Sequence, residues 1–482
     1  MINVEVMHVT SLIEGNPVKQ SEEKVMDVIS PFNGEVVGKV SLASKEVAER
    51  AIESAYQTFH HTMKKMPAYQ RADILRKTAD LLEEKTEEFA QVLVLEAGKP
   101  IRDGRGEVGR AVQVLRFAAD EAKKIEGELV PMDAAIGGEN RIGMVRRLPI
   151  GVISAITPFN FPLNLALHKL APAFAAGNTV VLKPAGKTPL TAYMLVKLFE
   201  EAGLPKGALN LVIGNGSEIG DVLVTDSRIS KITFTGSPSV GIDIRQKAGL
   251  KKVTLELGSN SPNILFNDGD VKAAATGLVR GAFAFSGQVC ISAQRIYVQK
   301  EVYREFLDQY VSMVKNLVIG NPAEESTDIG PMISEKEAIR AHNWIQEAVK
   351  AGAKLATGGN RNGTLLEPTI LVDVQPDMKV VCEETFAPIV SVIPFETEEE
   401  VIEMANDSVF GLQAGVFTND INRAMRIAEG LETGGVWINE TSTYRQDNYP
   451  YGGVKLSGVG KEGVKYAIED MTEIKFIGIK LS

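Results

Sequence analysis

The chain has 482 residues, too long for one ordinary domain and enough for two or three. Hydrophobic residues make up 44% and charged residues 24%, the balance of a soluble globular protein, and a formal net charge of −10 argues against nucleic acid or an anionic membrane as partner. Two cysteines, Cys290 and Cys382, exclude a disulfide framework, and the five histidines lack ligand spacing, so no metal is expected.

The opening MINVEVMHVT has no basic start followed by an apolar run. No stretch approaches the roughly 20 apolar residues that span a bilayer. A cytoplasmic protein with no membrane partner is the expectation. The first quarter reads as helices. Val47, Ala48, Ala51, Ile52 and Ala55 recur at helical spacing, as do Ala72, Leu75, Ala79 and Leu82. TEEFAQVLVLEAGKP is a third helix, stopped by Gly98 and Pro100. Near residue 127 the pattern changes, and VPMDAAIGGENRIGMVRRLP reads as a hairpin inserted between two parts of one domain. From Ile150 onward, short apolar strands (IGVISAIT, NTVVLKP, LNLVIG, KITFTG) alternate with helical segments. That alternation predicts βαβ units and a parallel sheet covered on both faces. KVTLELG and NILF continue the strands. A second α/β series after about residue 270 includes QRIYV, APIVSVIPF, GLQAGVF and GGVWINE. The tail, MTEIKFIGIKLS, alternates as a half-buried strand does.

Several residues in these segments have chemistry to offer, and each also has an ordinary explanation. Cys290, in GQVCISAQ, reads alone as a buried small hydrophobe, and so does Cys382. Glu256 ends an apolar strand, where a carboxylate is costly unless paired, functional or solvated. Asn160 sits between Pro158 and Pro162, which stiffen its loop; it also suits a turn. Lys183 ends a strand on the side where open α/β sheets bind ligands, or faces solvent. GNGSEIG and FTGSPSVG each follow a strand and open a helix, where backbone N–H groups favour a pyrophosphate, though neither has strict GxGxxG spacing. Gly186-Lys187-Thr188 imitates the end of a P-loop, but Val181 stands where the first glycine belongs.

Taken in order, PFN, GNTVVLKP, FTGS, LELG, GQVC, EETFAP and YGGVKLSG resemble the aldehyde dehydrogenase superfamily from about residue 150 to 460. The ELGSN run and the RQDNYPYGG loop resemble its lactaldehyde dehydrogenase-like, non-phosphorylating glyceraldehyde-3-phosphate dehydrogenase-like branch. The resemblance implies an α/β fold with three parts. These are a Rossmann-like cofactor domain (1–126 and 149–257), an α/β catalytic domain (258–464) and a small β oligomerisation element (127–148 and 465–482). A homodimer or homotetramer follows from that element.

The resemblance makes Cys290 the nucleophile that attacks an aldehyde, forming a thiohemiacetal that expels hydride to NAD or NADP and leaves a thioester. Asn160, with the Cys290 backbone N–H, is the oxyanion donor. Glu256, 34 residues before Cys290, is the base that activates water. Thr157, Pro158, Phe159, Lys183, Gly186, Lys187, Gly236, Ser237, Leu257, Glu384 and Phe386 are the implied cofactor contacts. NAD-preferring relatives often carry a glutamate two or three residues after the lysine; KPAGK has Gly186 and Lys187 instead, so NADP is expected to be accepted. Arg110 and Arg445 are candidates for gripping an anionic aldehyde, such as a sulfonate, phosphonate, phosphate or carboxylate, or else pair locally (Arg110 with Glu107) or are solvated. Val289, where some anion-binding relatives have arginine, weakens a strict phosphate reading. A coenzyme-A-acylating enzyme and a non-catalytic relative are the alternatives; retention of Glu256 speaks against the first, and of all three catalytic residues against the second.

Overall fold

The structure, a computed structural model, describes residues 6–19 and 24–482. The leader reading rests partly on residues 1–5, outside that range. An eight-stranded sheet has five parallel strands at its centre. In chain order these are Val152–Ile156, Thr179–Lys183, Leu209–Leu211, Ile229–Thr235 and Lys252–Glu256. Across the sheet they run fifth, fourth, first, second, third. The order therefore reverses beside Val152–Ile156, which pairs with Ile229–Thr235 on one side and Thr179–Lys183 on the other. Ligands of open α/β sheets bind at such a reversal, outside the carboxyl ends of the strands. Every residue of Val152–Ile156 is buried, which is why the strand reads as a continuous apolar run.

Helices of ten to thirteen residues connect these strands: Asn164–Ala176, Pro189–Glu201, Gly216–Thr225 and Pro238–Lys247. The three expected N-terminal helices are Lys45–His61, Ala68–Glu84 and Thr86–Ala97. The last ends on Gly98 in the left-handed conformation (φ 68°), as its sequence predicts. A fourth helix, Ile101–Glu121, follows Pro100 directly. The first quarter is not wholly helical. Met7–Thr10, Val36–Leu42 and Lys24–Ile29 form a three-stranded sheet ahead of the helices. Their polar, glycine-interrupted alternation is too short to stand out beside the helical runs that follow.

The second sheet has seven strands in the order Lys354–Thr357, Thr369–Val372, Ile389–Phe395, Arg295–Gln299, Pro262–Leu265, Gln413–Phe417 and Gly435–Ile438. All neighbours are parallel except the first pair. The hairpin forms as expected: Glu128–Val130 pairs antiparallel with Arg141–Pro149. The tail strand Thr472–Lys480 adds to its other side, from Thr472 opposite Pro149 to Lys480 opposite Arg141. The tail is not half-buried within the chain; Ile474, Phe476 and Ile479 are exposed. No helix among the described residues is long and apolar enough to cross a membrane.

Candidate active site

Three loops at the carboxyl ends of the first sheet converge with the turn before Cys290. The first leaves Val152–Ile156 at Thr157, whose N–H donates to the Lys183 carbonyl at 3.1 Å. Asn160 lies on it, buried. Its Nδ2 donates to the Gln288 carbonyl at 3.0 Å, while Oδ1 has no partner among the described residues. The loop is held from below. The Glu107 carboxylate accepts the N–H groups of Leu163 and Asn164, each at 3.0 Å, and pairs with the fully buried Lys99. The Lys99 ammonium lies 3.7 Å from the centre of the Phe161 ring and 4.6 Å from that of Phe285. One buried cation thus ties the Asn160 loop to the turn leading to Cys290.

That turn is unusual backbone. Phe285, Ser286 and Gly287 are consecutive left-handed residues, with φ of 47°, 56° and 68°. A Cβ on Gly287 would lie 2.1 Å from the Ala387 carbonyl oxygen, so only glycine fits. Ser286 Oγ donates to the Gly330 carbonyl at 2.7 Å, and the Gln288 side chain accepts the Ile333 N–H at 2.8 Å. Cys290 itself is half-buried, its Sγ 3.2 Å from the Tyr451 hydroxyl. Burial pushes its thiol up to about 11, against the Tyr451 contact and the Arg445 charge.

Glu256 ends its strand buried, and neither carboxyl oxygen has a hydrogen-bond partner among the described residues. Burial and then the neighbouring Glu462 charge raise its pKa well above the ordinary value; Arg445, Lys169 and Lys461 oppose them. Glu462 is fully engaged: one oxygen accepts from Lys169 at 2.8 Å, the other from Arg445 at 2.9 Å. Although burial opposes ionisation, Lys169, His168 and Arg445 hold Glu462 low, at about 2. The pair therefore divides its labour: Glu462 is the fixed anion and Glu256 the carboxyl that holds a proton at neutral pH.

The two arginines meet at one carboxylate. Arg110 donates to Asp447 Oδ1 at 2.6 Å, and Arg445 Nε lies 3.8 Å from the same oxygen. His168 Nε2 is 2.8 Å from it. Neither local alternative holds, since Glu107 pairs with Lys99 rather than Arg110, and the Arg445 side chain is 5% exposed. The Nε–H of each arginine is buried without a hydrogen-bond acceptor among the described residues.

The expected cofactor residues gather on the reversal side of the first sheet. Lys183 is largely buried, which lowers its pKa, and among the described residues it donates a long bond, 3.4 Å, to the Pro184 carbonyl. Ser237 caps the exposed start of Pro238–Lys247, where first-turn N–H groups have no intrahelical acceptor. Gly236 donates its N–H to the Glu256 carbonyl at 3.0 Å. A Cβ on Gly241 would lie 2.5 Å from the Leu257 side chain, so that helix sits directly on Leu257. Across the site, Glu384 accepts the Ser259 N–H at 2.9 Å, and burial raises its carboxyl to about 7. The rings of Phe159 and Phe386 meet edge to face, 5.9 Å apart, Phe386 with a strained φ of 45°. Gly186 and Lys187 lie exposed on the turn after Lys183. Pro158 is half-buried beside Phe159. A helix start for a pyrophosphate, a strand-end ammonium for ribose hydroxyls and a carboxyl beside a pair of rings suit a dinucleotide. A separate cavity of about 300 Å³, lined by Arg102, Arg280, Phe283 and Asp328, contains none of these groups.

Sequence reasoning missed Lys169, His168, Asp447, Glu462 and Tyr451. The one legible signal was His168-Lys169, two polar residues inside the otherwise apolar helix Asn164–Ala176, all of whose residues are buried.

Comparison with known proteins agrees. Residues 18–477 match the aldehyde dehydrogenase family. The chain is 49% identical, over 95% of both lengths, to a 3-sulfolactaldehyde dehydrogenase of Priestia aryabhattai. Its fold superposes with a TM-score of 0.96 on aldehyde dehydrogenase 21 of Physcomitrella patens, solved with the reaction product succinate; that match is 40% identical and covers 99% of both chains. It superposes with a TM-score of 0.91 on a glyceraldehyde-3-phosphate dehydrogenase of Methanocaldococcus jannaschii complexed with NADP, 43% identical over 96% of this chain and 100% of that one. The chain belongs to the aldehyde dehydrogenase family and is an NAD(P)-dependent oxidoreductase acting on aldehydes.

Proposed function

We propose that the chain oxidises a small anionic or polar hydroxylated aldehyde to its carboxylic acid, with water resolving a thioester on Cys290. The observation that carries this reading is Glu256: a buried carboxyl beside Cys290 whose two oxygens have no hydrogen-bond partner among the described residues is free to hold a water. Cys290 releases its thiol proton to solvent and attacks the carbonyl carbon as the thiolate. The oxygen that becomes negative is met by the Cys290 backbone N–H and the second Nδ2 hydrogen of Asn160, the first being bonded to Gln288. The nicotinamide supplies the hydride acceptor. Glu256 then takes a proton from water as the water attacks the thioester carbon; the carbon–sulfur bond breaks and the sulfur regains its electron pair.

Thr157, Pro158, Phe159, Gly236, Ser237 and Leu257 are assigned the pyrophosphate and nicotinamide face, Lys183 the ribose hydroxyls, and Glu384 with Phe386 the nicotinamide riboside. Gly186 and Lys187 bring no carboxylate to the adenosine ribose, so a 2′-phosphate is not repelled and NADP is accepted alongside NAD. Arg110 and Arg445, whose Nε–H groups have no hydrogen-bond acceptor among the described residues, are assigned the substrate anion. A sulfonate, a phosphate and a carboxylate in the names of three relatives support that class. The three-part division given above, a cytoplasmic location and a homodimer or homotetramer joined through the exposed face of Thr472–Lys480 complete the proposal.

The test is a panel of short aldehydes, neutral and anionic, assayed by nicotinamide reduction with NAD and NADP, with and without coenzyme A. The expected result is turnover that favours anionic members, proceeds with NADP and releases free acid. Undetectable turnover with NADP, or acyl-coenzyme A as product, sinks the corresponding part.

A further inference from the structure

Cys290 sits in a poor place to ionise. Burial disfavours its thiolate, and the carboxyl groups of Glu256 and Glu384 face it. Behind Glu256 stand Glu462, Lys169 and Lys461, whose charges act on Glu256. Two groups on the loop 439–452 oppose this. The Tyr451 hydroxyl is 3.2 Å from Sγ, and the Arg445 guanidinium lies over the Tyr451 ring, its central carbon 3.6 Å from the ring centre. Arg445 is itself fixed by Glu462 at 2.9 Å and flanked by His168 and Asp447. Tyr451 is buried, and the hydrogen bond its hydroxyl makes among the described residues is the one to sulfur.

We propose that Tyr451 is a catalytic residue whose hydroxyl holds the Cys290 sulfur as a thiolate and receives it again when the thioester is hydrolysed. Resting on Cys290 being the nucleophile, this adds a donor on the sulfur side of the reaction, where Asn160 serves only the oxygen side. The bond is weak with a thiol and strong with a thiolate. Between a thiol and a phenol it is weak in either direction. Once the sulfur has lost its proton only the phenol can donate, and the bond becomes O–H···S⁻, charge-assisted and, with Tyr451 buried, in a low-dielectric setting. It therefore favours the thiolate over the thiol. The guanidinium on the ring face draws electron density from the phenol and makes it a better donor. The same bond acts in the last step. Water attacks the acyl carbon, its proton passes to Glu256, the carbon–sulfur bond breaks, and the electron pair arrives on a sulfur that already faces an O–H donor. Tyr451 keeps its proton throughout.

The test is Tyr451→Phe, which removes one oxygen and keeps the ring against Arg445. Both it and the parent are made in a Cys382→Ser background, so that Cys290 is the one thiol left. Alkylation by iodoacetamide is followed across pH in the cofactor-free enzyme. Loss of a bond to a charged acceptor predicts a midpoint at least one pH unit higher, which is about tenfold slower alkylation at any pH below it. Hydrolysis of the acyl-enzyme slows by a similar factor. A Tyr451→Phe profile that superimposes on the parent's overturns the proposal. Turnover surviving in Cys290→Ser instead overturns the reading of Cys290 as nucleophile, so the two failures are distinct.

Discussion

Replacing Glu256 with glutamine is expected to make the protein more stable and nearly inactive. The carboxyl is buried with both oxygens unpartnered, and its folded-state pKa lies well above 4.5 because burial and Glu462 disfavour its charge. A group whose pKa is raised on folding contributes stability fully only below its unfolded value; that contribution is lost as pH rises through the folded value. Wild-type protein therefore loses about 1.4 kcal/mol for each pH unit above 4.5 over which the folded carboxyl keeps a proton that the unfolded one has released. Glutamine has the same shape and does not titrate. The two proteins should unfold at nearly the same temperature at pH 4.5, and the variant should have the higher unfolding temperature at pH 8 in scanning calorimetry. Activity moves the other way. Loss of a general base costs about 10²–10⁴-fold, all of it in thioester hydrolysis. Stopped-flow absorbance should show a burst of one reduced cofactor per chain and then a slow steady state. A variant less stable than wild type at pH 8, or one slowed with no burst, refutes the reasoning.

Wild-type steady-state turnover should rise with pH through a range well above that of an ordinary carboxylate, because Glu256 must first lose its proton; a pH–rate profile flat from 5 to 9 contradicts this. Asn160→Ala removes one donor from a dry oxyanion site and should cost about 10²–10³ in kcat, read by single-turnover kinetics. It also leaves the buried Gln288 carbonyl without its partner, with a lower unfolding midpoint. Arg110→Gln should raise KM about 10–100-fold for anionic aldehydes and leave neutral ones nearly unchanged; equal losses on both remove Arg110 from the substrate site. Lys187→Ala should weaken NADP binding severalfold relative to NAD, measured by fluorescence titration of the reduced cofactors.

What the sequence disclosed follows from burial. Val152–Ile156 and Thr179–Lys183 are covered on both faces, so each is written as an apolar run, with the candidate residue at its carboxyl end (Lys183) or on the loop that follows (Asn160). That placed Asn160 and Lys183, and the same logic placed Glu256. The N-terminal strands, of which Val36–Leu42 carries glycine and lysine among its valines, gave no such run and were read as part of a helical quarter. The charged network behind the site was invisible for a different reason. Arg110 and Asp447 are 337 positions apart, and Lys169 and Glu462 are 293 apart, so nothing local links them. Arg110 had a plausible partner in Glu107, three residues earlier; only the fold shows that Glu107 is taken by Lys99. The tail alternates apolar and polar residues, which identified a strand but not that Ile474 and Phe476 stay exposed among the described residues.

The central claim is that an acyl group passes through Cys290 and no other thiol. Enzyme mixed with aldehyde and NAD(P), quenched in acid within one turnover and digested, can be mapped by mass spectrometry. The account predicts an acyl adduct on the peptide GQVCISAQ, at Cys290, that decays on continued incubation as free acid appears, and no turnover in Cys290→Ala. An adduct confined to Cys382, or undiminished turnover in Cys290→Ala, contradicts it.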